Sequence, residues 1–225
     1  MNSAKRTARL AGLLYLLGGL PAPFSLLYLP SALIVPGNAA ATAAKVRASA
    51  LLLRLGIVCD LYSAIVFIFV ALTLYRLLKG VDHQQAVLMV ILWVVSVPVT
   101  FINALNRLAA LSLLSGADFL SLVPQPQLDA MAMVFLKLYS QGNIVNQIFW
   151  GLWLLPFGIL VYKSGFIPRI FGVLLIIACS GYVTASITTL LSPHYGQLLS
   201  GWMMLPAGLG ELSIVFWLLV KGVRT

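Results

Sequence analysis

The sequence predicts an all-α membrane protein: a six-transmembrane-helix bundle, N-in and C-in, with short helical segments in its two long outer loops. Three observations carry this reading. Of 225 residues, 61% are hydrophobic and only 8% charged, whereas roughly a quarter of a soluble domain is charged. Six apolar runs reach the roughly 20 residues that a helix needs to cross the hydrocarbon layer. The Lys and Arg residues gather at the ends of those runs on one side, as the positive-inside bias requires.

The expected spans are 10–28, 51–78, 86–114, 143–162, 167–191 and 202–220, within one integral membrane domain, 1–225. Lys5, Arg6 and Arg9 ahead of the first run mimic a signal peptide, but residues 10–35 are too long for an h-region. Pro21-Ala22-Pro23 is also a poor cleavage site, so the run is expected to be a span kinked or ended by these prolines. The second and third spans are long enough to tilt or project, and Pro98 and Pro156 fall inside the third and fourth.

With the N-terminus in the cytoplasm, nine basic residues (Lys5, Arg6, Arg9, Arg76, Lys79, Lys163, Arg169, Lys221 and Arg224) lie on that side. Three, Lys45, Arg47 and Lys137, lie opposite, while Arg54 and Arg107 fall within spans. That imbalance sets the orientation, and the expected location is the cell inner (plasma) membrane.

Both long loops then face outward. Residues 29–50 hold a Pro36-Gly37 turn, then Asn38 or Thr42 as N-cap of an Ala-rich helix. Residues 115–142 hold Pro124 and Pro126, then Asp129 as the expected N-cap of a helix over 130–139. Met131, Val134, Phe135 and Leu138 recur at helical spacing, predicting an amphipathic segment in the outer interface. The cytoplasmic connections, 80–85 and 163–166, are short turns. Arg9 to Gly12 (RLAG) and Arg169 to Gly172 (RIFG) open the first and fifth spans alike, as an internal repeat would, and as helices starting at the cytoplasmic face commonly do.

Four segments carry a family likeness: GLWLLPFGILVYKSGFIPRIFGVLL at 151–175, ARLAGLLYL at 8–16, RLGIVCD at 54–60 and ELS at 211–213. Together they resemble the bacterial membrane proteins filed as domain of unknown function 4386, over nearly the whole chain. The resemblance implies a multi-pass bacterial membrane protein and brings no substrate, cofactor or catalytic residue with it.

Topology converts sequence position into depth. Ionisable residues within spans are functional candidates by default, because lipid makes them costly. Arg54 lies near the outer surface, positioned to snorkel, and Asp60 lies about 9 Å deeper at 1.5 Å per residue. Asn103, Asn106 and Arg107 share one helical face in the outer half of the third span. The fourth span repeats the arrangement with Asn143, Asn146 and Gln147, and Tyr182, Ser186 and Thr189 share a face of the fifth. Glu211 is near the middle of the sixth.

Two readings follow. In one, Asp60 or Glu211 neutralises Arg107 while the amides bridge helices as structural glue. In the other, Asp60, Asn103, Arg107, Gln147 and Glu211 line a polar cavity open to the extracytoplasmic side, suited to a small polar, zwitterionic, anionic or headgroup-like ligand.

Other chemistries find little support. A net charge of +9 without a clustered basic face argues against nucleic acid. Cys59 and Cys179 fall in separate apolar runs and form no C-x-x-C. His83 falls in a cytoplasmic turn and His194 in an outer loop, so they cannot share a metal, and no cofactor is expected. No G-x-S-x-G or phosphate loop is present.

Three function classes remain. The first is a binding or transport protein, proton-coupled through Asp60 or Glu211. The second is a membrane interaction or regulatory subunit with a structural polar clasp, and the third an intramembrane enzyme acting on a lipid or isoprenoid. Membrane lipids are expected partners; the sequence leaves oligomeric state open.

Overall fold

The computed structural model describes residues 3–223, the side chains at 197–200 and 203–207 excepted; Arg224 lies outside the described residues. The described residues are helical and contain no strand. Helix α1 spans Ser3–Gly19, and a π-helical stretch, Pro23–Tyr28, leads into α2, Leu29–Leu33. Then follow α3 Ala39–Ala48, α4 Ala50–Leu78 and α5 His83–Leu113, with a 3-10 turn at Asp118–Leu120. Helices α6 Gln125–Leu152, α7 Leu154–Ser164, α8 Arg169–Leu191 and α9 Pro193–Val220 complete the chain.

Five helical stretches are long and apolar enough to cross a membrane: Ser3–Leu33, Ala50–Leu78, His83–Leu113, Gln125–Ser164 and Arg169–Leu191. Within α9, Gly208–Val220 is a shorter apolar stretch. The second, third and fifth expected spans match α4, α5 and α8 to within a few residues.

The first span differs. It begins at Ser3, and the prolines divert it rather than end it. Leu20 and Pro21 form a turn, after which the chain resumes as a π-helix. Pro156 acts one turn upstream. It cannot donate to the Leu152 carbonyl, and helicity is interrupted at Trp153, between α6 and α7. Pro98 is accommodated inside α5.

The second long loop, 115–142, also differs from expectation. Asp129 does not cap a helix; α6 already starts at Gln125, immediately after Pro124, where a missing N–H costs nothing. The segment 130–139 is continuous with residues 143–152, passing through Gly142 without a break. It is therefore part of a long helix rather than a separate interfacial one. Its stripe of Met131, Val134 and Leu138 is exposed, while Leu128, Ala132, Leu136 and Tyr139 form the buried face.

The first long loop, 29–50, follows its sequence signals. Gly37 adopts φ +74°, as the Pro-Gly turn requires. Asn38 is the N-cap, its Oδ1 accepting from Ala41 N at 2.9 Å.

The chain forms two compact units. The larger comprises Met1–Gly18, Ile65–Val97 and Ile144–Thr225. Its core holds Leu74, Leu78, Met89, Leu160, Leu175, Ile214 and Leu218, with an aromatic group of Tyr15, Phe67, Trp93, Trp153 and Phe157. Close helix approach within this unit depends on glycine. A Cβ on Gly172 would lie 2.6 Å from the Gly158 carbonyl, and one on Gly12 would lie 2.9 Å from Leu219 N. Arg9 donates to the Val220 carbonyl at 3.1 Å, placing a cation at the C-terminus of α9.

The smaller unit comprises Gly19–Ala64 and Pro98–Asn143. Leu29, Leu33, Val46, Leu53, Ile57, Ala104, Leu111 and Leu136 form its core. Arg47 on α3 pairs with Asp129 on α6 at 2.8 Å, and Gln125 donates to the same oxygen at 2.9 Å.

Candidate functional site

The five candidate residues divide between the units. Asp60, Asn103 and Arg107 belong to the smaller, and Gln147 and Glu211 to the larger. Each set has its own partners.

In the smaller unit, Arg107 of α5 donates through Nη1 to Asp60 Oδ2 of α4 at 2.9 Å, with the arginine side chain 3% exposed. Of the two carboxylates that could neutralise it, Asp60 does so. Two further residues that the sequence reading passed over complete the arrangement. Ser25, in the π-helical stretch, donates its hydroxyl to Asp60 Oδ1 at 2.5 Å and accepts from Arg107 Nη1 at 3.0 Å. Tyr139 of α6 donates to Asp60 Oδ2 at 2.6 Å, and the Arg107 guanidinium lies over its ring, 3.6 Å from the centroid.

The π-helix explains why Ser25 is there. Leu29 N–H bonds five residues back to Phe24, and the next donor in that register would be Pro30, which has none. Arg107 Nη2 supplies the Ser25 carbonyl with a bond instead, at 3.1 Å. Gly56 makes room: a Cβ there would fall 2.1 Å from Leu29 Cδ1 and 3.0 Å from Arg107 Nη1.

Asn103 joins through Tyr139. Its Nδ2 donates to the Tyr139 carbonyl at 2.9 Å and to Asn143 Oδ1 at 3.0 Å, while its Oδ1 accepts from Asn106 at 3.1 Å. The i, i+3, i+4 spacing thus places Asn103, Asn106 and Arg107 on one working face. Arg54 is exposed on α4.

The charge balance of this site decides its chemistry. One guanidinium and one carboxylate leave it neutral overall. Three of the five Arg107 N–H groups are bonded to described residues, leaving two, and Asp60 Oδ1 retains acceptor capacity.

In the larger unit, Gln147 Oε1 accepts from Ser186 at 3.3 Å. Glu211 accepts from Tyr182 at 2.8 Å through Oε1 and from Tyr15 through Oε2. Among the described residues no cluster of three or more His, Cys, Asp or Glu is placed to hold a metal. His83 lies 3.3 Å from the Tyr75 hydroxyl, and Cys59 and Cys179 are free thiols.

An "Uncharacterized protein" of Archaeoglobus fulgidus is 35% identical over 78 residues, which cover 35% of this chain and 44% of the relative. The chain therefore spans under half the length of that relative. No solved structure matches. The model of the family DUF4386, domain of unknown function, matches residues 10–222. With Asp60, Arg107 and Glu211 all inside the matched region, this chain belongs to the DUF4386 family.

Proposed function

We propose that this chain is a multi-pass protein of the cell inner membrane that binds, and carries, a small zwitterionic or headgroup-like ligand. The ligand reaches Asp60 and Arg107 from the extracytoplasmic side. The observation supporting this reading is the residual capacity of a neutral ion pair. Two Arg107 N–H groups, unbonded among the described residues, suit a carboxylate or phosphate, and the remaining acceptor position on Asp60 suits an ammonium. A ligand carrying both charges replaces lost water at both poles without leaving net charge in the membrane.

The reading includes six spans, with α9 as the sixth, and both termini inside. Cysteines placed singly at Gly80 and Ser115, in a Cys59→Ala/Cys179→Ala background, test the orientation. A membrane-impermeant thiol reagent applied to intact spheroplasts should label position 115 and spare 80. The reverse pattern would refute it.

For binding, phosphoethanolamine, phosphocholine and free amino acids serve as probes in a thermal-shift assay of detergent-purified protein. A stabilising probe should lose its effect in Asp60→Asn and Arg107→Gln while both variants stay monodisperse. Unchanged stabilisation in both variants sinks the reading.

A second reading is favoured by the way Ser25, Asp60, Arg107 and Tyr139 bond to one another across four helical stretches. Here the ion pair is a structural clasp, and the chain is an interaction or regulatory subunit. That reading predicts no stabilising probe and a partner chain that co-purifies. The enzyme reading has no observation of this kind behind it.

A further inference from the structure

Glu211 differs from the other acidic side chains. Of the five in the sequence, Asp60 faces Arg107, Asp82 faces Lys163 and Asp129 faces Arg47. Asp118 opens the 3-10 turn between α5 and α6. Glu211 lies in the apolar stretch Gly208–Val220 of α9, and among the described residues no cation lies within ion-pair distance of it. Its two oxygens are held by phenols from two other helices, Tyr15 on α1 and Tyr182 on α8.

The described groups bonded to its carboxylate are uncharged. From α1 comes Tyr15, whose ring packs at 4.9 Å against Phe67 and 5.8 Å against Trp153. From α8 comes Tyr182; on the same helix Cys179, a free thiol, precedes it by three residues. On α9 the neighbouring Ser213 hydroxyl is turned to the Gly210 carbonyl. The nearest basic residues along these helices are Arg9, occupied with the Val220 carbonyl, and Lys221 and Arg169. Lys221 lies about 15 Å along α9 from Glu211, and Arg169 about 20 Å along α8 from Tyr182, at 1.5 Å per residue.

A carboxyl with no counter-ion among the described residues is neutralised most simply by something that arrives. A proton is the smallest such cation and needs no cavity. The phenols make its arrival structurally simple: when one Glu211 oxygen takes up H⁺, the new O–H donates to one phenolic oxygen while the other phenol continues to donate. Only one O–H bond forms, and release to water reverses it. We propose that Tyr15, Glu211 and Tyr182 form a proton-binding site that loads and unloads H⁺ as the protein works. The proposal does not rest on a ligand at Asp60 and Arg107, since these three residues belong to the larger unit.

The test is difference infrared spectroscopy of the full chain in liposomes, followed through a pH titration in sodium and in choline chloride. A protonated-carboxyl band should appear and disappear with pH, shift in heavy water, vanish in Glu211→Gln and persist in Asp60→Asn. Tyr15→Phe and Tyr182→Phe should keep the band but change its frequency, because each removes one hydrogen-bond partner. These two variants also supply the readout if Glu211→Gln fails to fold. A band that survives in Glu211→Gln, that never titrates, or that keeps its frequency in both tyrosine variants overturns the proposal. So does a titration that moves when sodium replaces choline, which would make a metal cation the ligand.

Discussion

Arg107 and Tyr139 meet face to face, the guanidinium 3.6 Å from the ring centroid, and the Tyr139 hydroxyl donates to the same Asp60 oxygen that Arg107 binds. One residue thus covers the cation and helps hold its counter-ion. The two roles separate by mutation. Tyr139→Phe keeps the ring and loses a hydrogen bond to a charged group, a cost of about 1.5–3 kcal/mol. Tyr139→Leu also loses the cation–π contact, adding about 1–2 kcal/mol at a buried site. Unfolding of the purified protein in mild detergent should rank wild type above Phe above Leu. Equal stability of the two variants would remove the stacking role.

The ion pair itself should behave as a coupled unit. Arg107→Gln leaves Asp60 with its negative charge and only hydroxyl donors, and Asp60→Asn leaves a guanidinium 3% exposed without a counter-ion. Removing one member of a buried pair costs about 3–5 kcal/mol. The double variant removes both charges together, so it should be more stable than the sum of the single losses implies, by about 1–3 kcal/mol of coupling. Additive losses would mean that the pair is solvated.

The pairing shows what sequence can and cannot carry. Helical spacing was enough to group Asn103, Asn106 and Arg107, and charge in an apolar run was enough to single out Asp60 and Glu211. Ser25 falls inside the expected first span, 10–28, yet escaped because the direction of the chain after a kink or stop at Pro21 and Pro23 is not written in the sequence; the resumed π-helix brings its hydroxyl and carbonyl to Arg107. Pro30, five residues on, deprives that carbonyl of its donor only in the π register, which the structure supplies. Tyr139 escaped because the stripe of Met131, Val134 and Leu138 drew attention to the exposed face of α6. Ala132, Leu136, Tyr139 and Asn143 follow the same helical spacing on the opposite side. Choosing between Asp60 and Glu211 as the partner of Arg107 needed tertiary packing, since both are carboxyls in apolar helices and sequence position alone gives neither a neighbour.

Glycine positions offer a test of packing that leaves the polar groups intact. At Gly172 a methyl would press on the Gly158 carbonyl at 2.6 Å, a backbone atom that moves only if a helix moves. At Gly19 nothing lies within 4 Å. Gly172→Ala should therefore lose about 1–3 kcal/mol by overpacking, whereas Gly19→Ala should be neutral or gain up to about 1 kcal/mol from helix propensity. Gly142→Ala is an intermediate case with a local signature: the methyl would meet Asn103 Oδ1 at 2.1 Å and push the amide off Tyr139 and Asn143. Thermal unfolding of the three variants side by side gives the order, and a Gly172→Ala variant as stable as Gly19→Ala would contradict the close approach of α7 and α8.

The ion pair between Asp82 and Lys163, at 2.9 Å, joins the turn before α5 to the end of α7 and gives the fold a pH dependence of predictable sign. The hydrogen bond from Lys163 is the largest cause holding the Asp82 carboxyl below its ordinary value, followed by the bond from Gln85 N–H. A group with a depressed folded-state pKa stabilises the fold above its unfolded pKa and loses that contribution as pH falls through the folded one. The unfolding temperature of wild type should therefore exceed that of Asp82→Asn by a constant amount at neutral pH. The gap should narrow as pH drops through and below the ordinary aspartate range. Both side chains reach solvent, so the gap should be small and should shrink in added salt. A gap that widens on acidification would mean that the charged form of Asp82 opposes folding, and the bond to Lys163 would then have no part in holding the two turns together.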